Sequence, residues 1–362
     1  MPLAPSMSMP VSMSRCRSTR SRRVVLAAGV VAALGLAACT SSSAPAASPG
    51  SVSPSAQSAS PTPTLTPTPT VVRSLLSGRI GGKDGPVLVV KMDNTAKSNP
   101  HYGIKSADVV YLEQVEGGLS RYAIVFSSQI PKTVGPIRSA RISDLELLRQ
   151  YGKIAFAYSG AQSKMLPVLK AAYLYNVSDD TGGQGYRRDN RLWSAPDNLF
   201  ADPLVLFKRA PNAAHAVNVG FTFRDAVPAG GRAVTTVSAS FPATTASFTW
   251  DAGSGRWLAA MNGKRAMAAE GGQLGGTTVI VQYVTVTRSI YHDVNNNYTP
   301  LSRSVGSGTA LIMRNGFAYN ATWSRRSATS GTTWMVNGQV FPLAAGQIWV
   351  LLINKNNPAV LK

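Results

Sequence analysis

Cysteine, histidine and acid are what this chain has least of. Its 362 residues include two cysteines, Cys16 and Cys39, and three histidines, His101, His215 and His292. Both cysteines lie near the N-terminus, which excludes a disulfide scaffold or a multi-cysteine metal site in the remainder of the chain. The histidines have no ligand spacing, so no metal and no cofactor is expected. No G-x-S-x-G elbow, phosphate loop or dinucleotide fingerprint occurs, which argues against those hydrolase and nucleotide-binding classes. Long apolar runs are missing too. Val24–Ala38 is uncharged and apolar or small, but it is shorter than the roughly 20 residues a helix needs to span a bilayer.

That short run reads as the core of an export signal. An arginine-rich stretch from Arg15 to Arg23 precedes it, and it ends in Leu36-Ala37-Ala38-Cys39, which resembles a bacterial lipobox with Cys39 as the lipidated residue. Arg22-Arg23 also resembles a twin-arginine signal. Ordinary leaders carry such pairs, so both export routes stay open, as do the alternative starts Met7, Met9 and Met13. Residues 1–39 are thus expected to be a lipoprotein signal peptide. Residues 40–75, rich in Ser, Thr, Pro and Ala, read as an unfolded tether, extended at about 3.1 Å per residue where it adopts polyproline II. The implied location is extracytoplasmic and lipid-anchored to the cell membrane.

Basic charge survives removal of the leader. Lys+Arg total 36 against 16 acids; without the five leader arginines the balance is 31 to 16, or +15. Export makes nucleic acid an unsuitable partner. The polyanions available outside the membrane are wall polymers, lipid-linked phosphates and lipid head groups, and such a charge raises their local concentration. Peptidoglycan is a further candidate partner.

The remaining chain reads as α+β or α/β, in two parts. Over 76–212 a mixed α/β domain is expected: a buried strand at Val87–Val90, a hairpin of Asp108–Val115 with Tyr122–Phe126 around Glu116-Gly117-Gly118, and a strand at Ile154–Tyr158. Helices are expected after a Ser143…Glu146 capping box, over Ser163–Ala172, and from a Ser194 cap with Pro196 in the first turn. Over 213–362 a mainly antiparallel β domain is expected. Asn315-Gly316 and Asn337-Gly338 mark two-residue hairpins, and Gly263–Glu270 suits a helical turn or two. Five tryptophans here (Trp250, Trp257, Trp323, Trp334, Trp349) suit either core packing or a sugar-stacking platform, with packing the commoner use.

Local chemistry concentrates at Lys91-Met92-Asp93-Asn94, at Glu113 and Glu116, and at Gly135-Pro136-Ile137-Arg138-Ser139-Ala140-Arg141. The run ADVVYLEQVEGGLSRYAIVFSS (107–128), followed by VGPIRSAR (134–141), resembles the YerB-like lipoproteins, the DUF3048 family of unknown function. GTALIMRNG before Trp323 and PLAAGQIWVLLI (342–353) are similar to the family's C-terminal part. The resemblance implies architecture and location rather than an activity. It carries over Asp93, Asn94, Asp108, Tyr111, Glu116, Gly117, Gly118, Arg121, Gly135, Pro136, Arg138, Ser139 and Arg141. Ser120 departs from the family's threonine, and Asp197 stands where the family has histidine.

Two chemical readings and a structural one are open. Arg138 and Arg141, with Arg121 and Ser139, can converge on a phosphate or carboxylate through forked guanidinium donors. Asp93 and Glu116 at strand ends suit a hydrolase or transferase; Glu113 and Glu116, three apart on a strand, point to opposite faces and do not pair. In the structural reading Arg138 and Arg141 are held internally by Asp108, Asp144 or Glu116, as buried arginines usually are. Binding is favoured over catalysis. The anchor is directly testable: Cys39→Ala should move the protein from the membrane fraction to the soluble fraction, and retention in membranes would exclude Cys39 as the attachment point.

Overall fold

The computed structural model describes residues 71–362. The signal peptide, Cys39 and nearly all of the tether lie outside the described residues. Apolar runs become strands buried on both faces. Leu88–Met92 forms β1, fully buried. Val109–Gln114 (β2) and Ser120–Phe126 (β3) make the expected antiparallel hairpin, pairing Val109 with Val125 through Gln114 with Ser120. Its turn needs two left-handed residues, supplied by Gly117 and Gly118 at φ 65° and 72°. β1 pairs antiparallel with β3 and parallel with β4 (Ala155–Ala157), which in turn is flanked in parallel by β5 (Tyr175–Asn176).

The other side of β2 is taken by the chain's far end. Ile348–Asn354 runs parallel to β2, with Val109 opposite Ile348 and Leu112 opposite Leu351. Thr278–His292 runs parallel to Ile348–Asn354 on its other edge. Residues on both sides of the 212/213 boundary therefore contribute to one mixed sheet of 13 strands. The continuous runs Val87–Val90 and Ile348–Ile353 result from burial on two faces, where no polar alternation survives.

Each face carries a core. On one, Val90, Leu112, Tyr122 and Ile124 meet Phe248 and Trp257 of a second, six-stranded sheet; Phe248 and Trp349 rings lie 5.3 Å apart, edge to face. On the other, Val89, Tyr111, Ala123 and Val125 meet the helices α1 (Ile142–Leu148) and α2 (Leu166–Ala171). A third helix, α3, spans Pro203–Lys208.

The fold is thus mainly β with a large mixed sheet, which corrects the expected α/β layering of the first part: its helices are only six or seven residues long. The second part is mainly antiparallel, as expected, with one parallel pair of strands among the described residues, Thr278–Val284 beside Ile348–Asn354. Ser194–Pro196 opens a turn rather than a helix; the cap that works is Asp202, whose carboxylate accepts from Leu204 N–H at 2.8 Å with Pro203 following. Gly263–Glu270 is not helical. Asn262-Gly263 forms a hairpin turn joining Met261 to Lys264, the same chemistry that succeeds at Asn315-Gly316 and Asn337-Gly338. Trp257, Trp323, Trp334 and Trp349 are all at most 3% exposed, so they pack the cores.

Thr278–His292 outruns the sheet. From Thr285 onward it pairs with Tyr298–Arg303 as a two-stranded ribbon. The ribbon is latched to α1: Ser302 N–H donates to Ser143 Oγ at 3.0 Å, and Ser304 and Val305 N–H donate to Glu146 Oε1 at 2.6 and 2.9 Å. Ser143 and Glu146 therefore hold the ribbon instead of capping the helix. Trp349, fully buried where the two sheets meet, gives the stability test. Trp349→Ala should cost about 3–5 kcal/mol in urea denaturation; a loss under about 1 kcal/mol would mean the interface between the sheets is not part of the cooperative core.

Candidate functional site

Strand alternation places a polar row at one end of the sheet. Lys91 on β1, Glu113 on β2 and Arg121 on β3 each continue the face that carries Val89, Tyr111 and Ala123 toward α1. Lys91 and Glu113 are completely buried and in direct contact, and Lys91 Nζ also reaches Asp144 Oδ1 at 2.8 Å. Burial pulls the Lys91 ammonium down to about 8, against the opposing pull of Asp144. Asp144 has a second task. Its Oδ2 accepts from Arg141 N–H at 2.6 Å, so Arg141 is the N-cap position and Asp144 closes the first turn of α1.

The loop 135–141 is pinned to the end of β1. Arg138 N–H donates to Lys91 C=O at 2.9 Å, and Asp93 N–H donates to Pro136 C=O at 3.1 Å. This brings three guanidiniums together. Arg141 Nε donates to Glu116 Oε2 at 2.7 Å and its Nη2 lies 2.5 Å from the same oxygen. Thr299 Oγ1 from the ribbon donates to Glu116 Oε1. Burial raises the Glu116 pKa, but Arg141 and the Thr299 hydroxyl outweigh it, and the net shift is downward. Arg138 Nε is 3.6 Å from Asp93 Oδ1, and its Nη1 is 3.8 Å from Asp197 Oδ1. Arg121 Nε is 3.9 Å from Asp93 Oδ1, too far to hydrogen-bond.

Arg121 is the anomaly. It is nine-tenths buried, and neither Nε nor Nη1 has an acceptor among the described residues. Arg138 Nε is also unpartnered among them. Burial first, then the neighbouring Arg141 and Arg138 charges, lower the Arg121 pKa to about 9. Asp197 moves the other way, raised by burial and by Asp93. Beside Arg141 a cleft of about 500 Å³ opens, lined by Glu116, Ser139, Gln162, His292, Asp293 and Thr299 among others.

The arginines, Asp93 and Glu116 singled out in the sequence do fall at one end of the sheet. Asp93 and Glu116 are each engaged by guanidiniums, and Glu113 faces Lys91 rather than Glu116, as strand periodicity required. Asp108 is elsewhere, accepting from Ser127 and Ser128 N–H at 2.8 Å. Ser120 keeps the hydroxyl role, accepting from Asn94 Nδ2 at 2.8 Å. Arg188 and Arg191 bond to Asn198 and Asp189 in their own loop. The sequence marks the Lys91–Asn94 segment but not the part Lys91 plays as the central cation, and no local pattern marks Thr299.

His101 borders the cluster. The Asp93 carbonyl can only accept, so His101 Nε2, 2.9 Å away, carries the proton. Burial pushes this imidazole down to about 4, partly offset by that hydrogen bond.

Residues 76–216 match the family model described as the N-terminal domain of a protein of unknown function (DUF3048), and residues 236–350 match its C-terminal domain. A Bacillus subtilis (strain 168) protein named as a lipoprotein, YerB, is 36% identical over 106 residues, which is 29% of this chain and 31% of that protein. The aligned part thus spans about a third of that relative. The crystal structure of YerB protein from Bacillus subtilis superposes with a TM-score of 0.67 at 18% identity, covering 80% of this chain and 99% of that one. At that identity the likeness is one of fold. Among the described residues no helix is long and apolar enough to cross a membrane.

The histidine gives a pH test. The unfolded chain protonates His101 near 6.5 and the folded chain near 4, so the unfolded state binds more protons in between. The associated stability is fully present above pH 6.5 and is lost as pH falls to 4, on the order of 3 kcal/mol. His101→Gln should flatten that part of the stability–pH curve in urea titrations at pH 7 and 4.5. An unchanged slope would mean the imidazole is not held neutral by the fold.

Proposed function

Because this chain belongs to the DUF3048 family, described only as proteins of unknown function, its role has to come from the site, and we propose that it binds an anionic component of the cell envelope. One observation carries this: Arg121, buried beside Arg138 and Arg141, keeps two N–H donors without acceptors among the described residues. An unpaired buried guanidinium is costly, and a phosphate or carboxylate oxygen is the partner that removes the cost. Asp93 supplies negative charge nearby at 3.6 and 3.9 Å but no hydrogen bond to either arginine. Arg138, Arg141 and Ser139 each keep part of their surface exposed, and the cleft is lined by Arg141 and Ser139 but not by Arg121 or Arg138.

In this reading the protein is a lipid-anchored, extracytoplasmic lipoprotein, held at the membrane through Cys39 and lifted from it by the tether. The lipoprotein designation of the Bacillus subtilis relative and the lipobox-like Leu36–Cys39 support it. Suitable ligands are phosphate-bearing wall polymers or lipid-linked phosphates. Hydrolysis through Asp93 and Glu116 is less well supported. Glu116 is held below the usual carboxylate range by Arg141, which suits an ion-pair partner and not a proton donor at neutral pH.

Titration of the full-length protein in non-ionic detergent with polyglycerol phosphate tests the reading. Saturable binding should weaken by at least about tenfold between 50 and 500 mM salt and vanish in Arg121→Ala/Arg138→Ala, while that variant still unfolds cooperatively. A double variant that loses several degrees of thermal stability, with no binding in the parent, would assign the arginines to the internal network alone.

A further inference from the structure

The ribbon has a second face. Alternation along Tyr298–Arg303 sends Thr299 to Glu116 and turns Tyr298 the opposite way. There, over the tip of the β2–β3 hairpin, lies an open surface groove of about 430 Å³ whose lining includes Gln114, Gly117, Thr287, Arg288, Tyr298 and Asn354. Gly117 is exposed, and a Cβ there would meet nothing within 4 Å.

Its chemistry differs from that of the arginine cleft. Among the described residues, no carboxylate lines the groove. The Gln114 and Asn296 amides, the Thr287 hydroxyl and the Tyr298 hydroxyl make no hydrogen bond to other described residues. The Asn354 amide uses only its oxygen, accepting from Asn356 N–H at 3.1 Å. Arg288 has no carboxylate partner among the described residues; it sits 5.0 Å from the centre of the Tyr298 ring. Tyr298 is 53% exposed. The guanidinium covers one part of an otherwise exposed ring, and such a contact at an exposed site is worth about 0.5–1 kcal/mol.

Amides offer a donor and an acceptor side by side, which matches vicinal hydroxyls or an acetamido group, while an exposed ring packs on a C–H face. We propose that this groove binds the uncharged sugar units of an envelope glycan. A free-standing anion is the wrong partner, since the groove offers one cation and several neutral donor–acceptor pairs. This proposal is independent of whether the arginine cleft is occupied.

Saturation-transfer NMR and calorimetry on the full-length protein in non-ionic detergent, with the tetramer of N-acetylglucosamine and with maltotetraose, provide the test. At least one should bind saturably, with an affinity insensitive to salt, and Tyr298→Ala should weaken it by about tenfold or more. Gln114→Ala, remote from the ribbon's own pairing, should weaken it as well, which covers the case in which Tyr298→Ala perturbs the ribbon. Binding of neither tetramer at 10 mM (a threshold of about −2.7 kcal/mol), or binding equal in wild type, Tyr298→Ala and Gln114→Ala, would overturn the proposal.

Discussion

A completely buried ammonium, Lys91, sits between two completely buried carboxylates, and the rest of the site is built outward from it. Glu113 ties it to β2. Asp144 ties it to the start of α1 and, with its other oxygen, holds Arg141 N–H. Arg141 then grips Glu116 at the hairpin turn, and Glu116 receives Thr299 from the ribbon. One cation thus sets, through five contacts, the positions of a strand end, a helix start, a turn and a distant arm. Such a network contributes specificity more than net stability: replacing the whole set by apolar residues can be neutral, whereas removing one member leaves a buried charge uncompensated.

The placement of the guanidiniums results from the same geometry. Pinning 135–141 to β1 fixes Arg138 and Arg141 near Arg121, and three like charges then share carboxylates placed mainly for other purposes. Arg141 is well satisfied, Arg138 only partly, and Arg121 hardly at all. That gradient, more than the overall basic charge, singles out where an external anion would matter. The +15 balance speaks to attraction at long range; the orphaned N–H groups speak to a place.

Features set by neighbours in sequence were legible before the fold was known. The β2–β3 hairpin and the Asn315-Gly316 and Asn337-Gly338 turns depend on short-range pattern, whereas Asp93, Glu116, Arg121, Arg138 and Arg141 are marked by the family resemblance and are brought together by the pinning of 135–141 to β1. Where local pattern misleads, a competing long-range contact wins. Ser143 and Glu146 look like a capping pair, yet both bond to the ribbon across some 160 residues. Asn262-Gly263 carries the same turn signal as its two relatives but is obscured by small, helix-compatible residues after it. The parallel pairing of β2 with Ile348–Asn354 has no local signature, since its two strands are separated by most of the chain. Lys91 announces itself only as a charge in an apolar run, and its partners depend on how the strands align.

That parallel pairing bears on how the molecule is made. β2 has β3 on one edge and Ile348–Asn354 on the other, so that edge stays unpaired until Ile348–Asn354 is in place. A chain emerging from its N-terminus therefore carries an unpaired apolar edge at Val109–Leu112 while the 239 residues from Val109 to Ile348 follow. A contact this distant in sequence carries a large loop-closure cost, and an unpaired edge is a pairing hazard until it forms. Loss of the segment from Ile348 onward would leave β2 and Thr278–His292 without the strand that joins them.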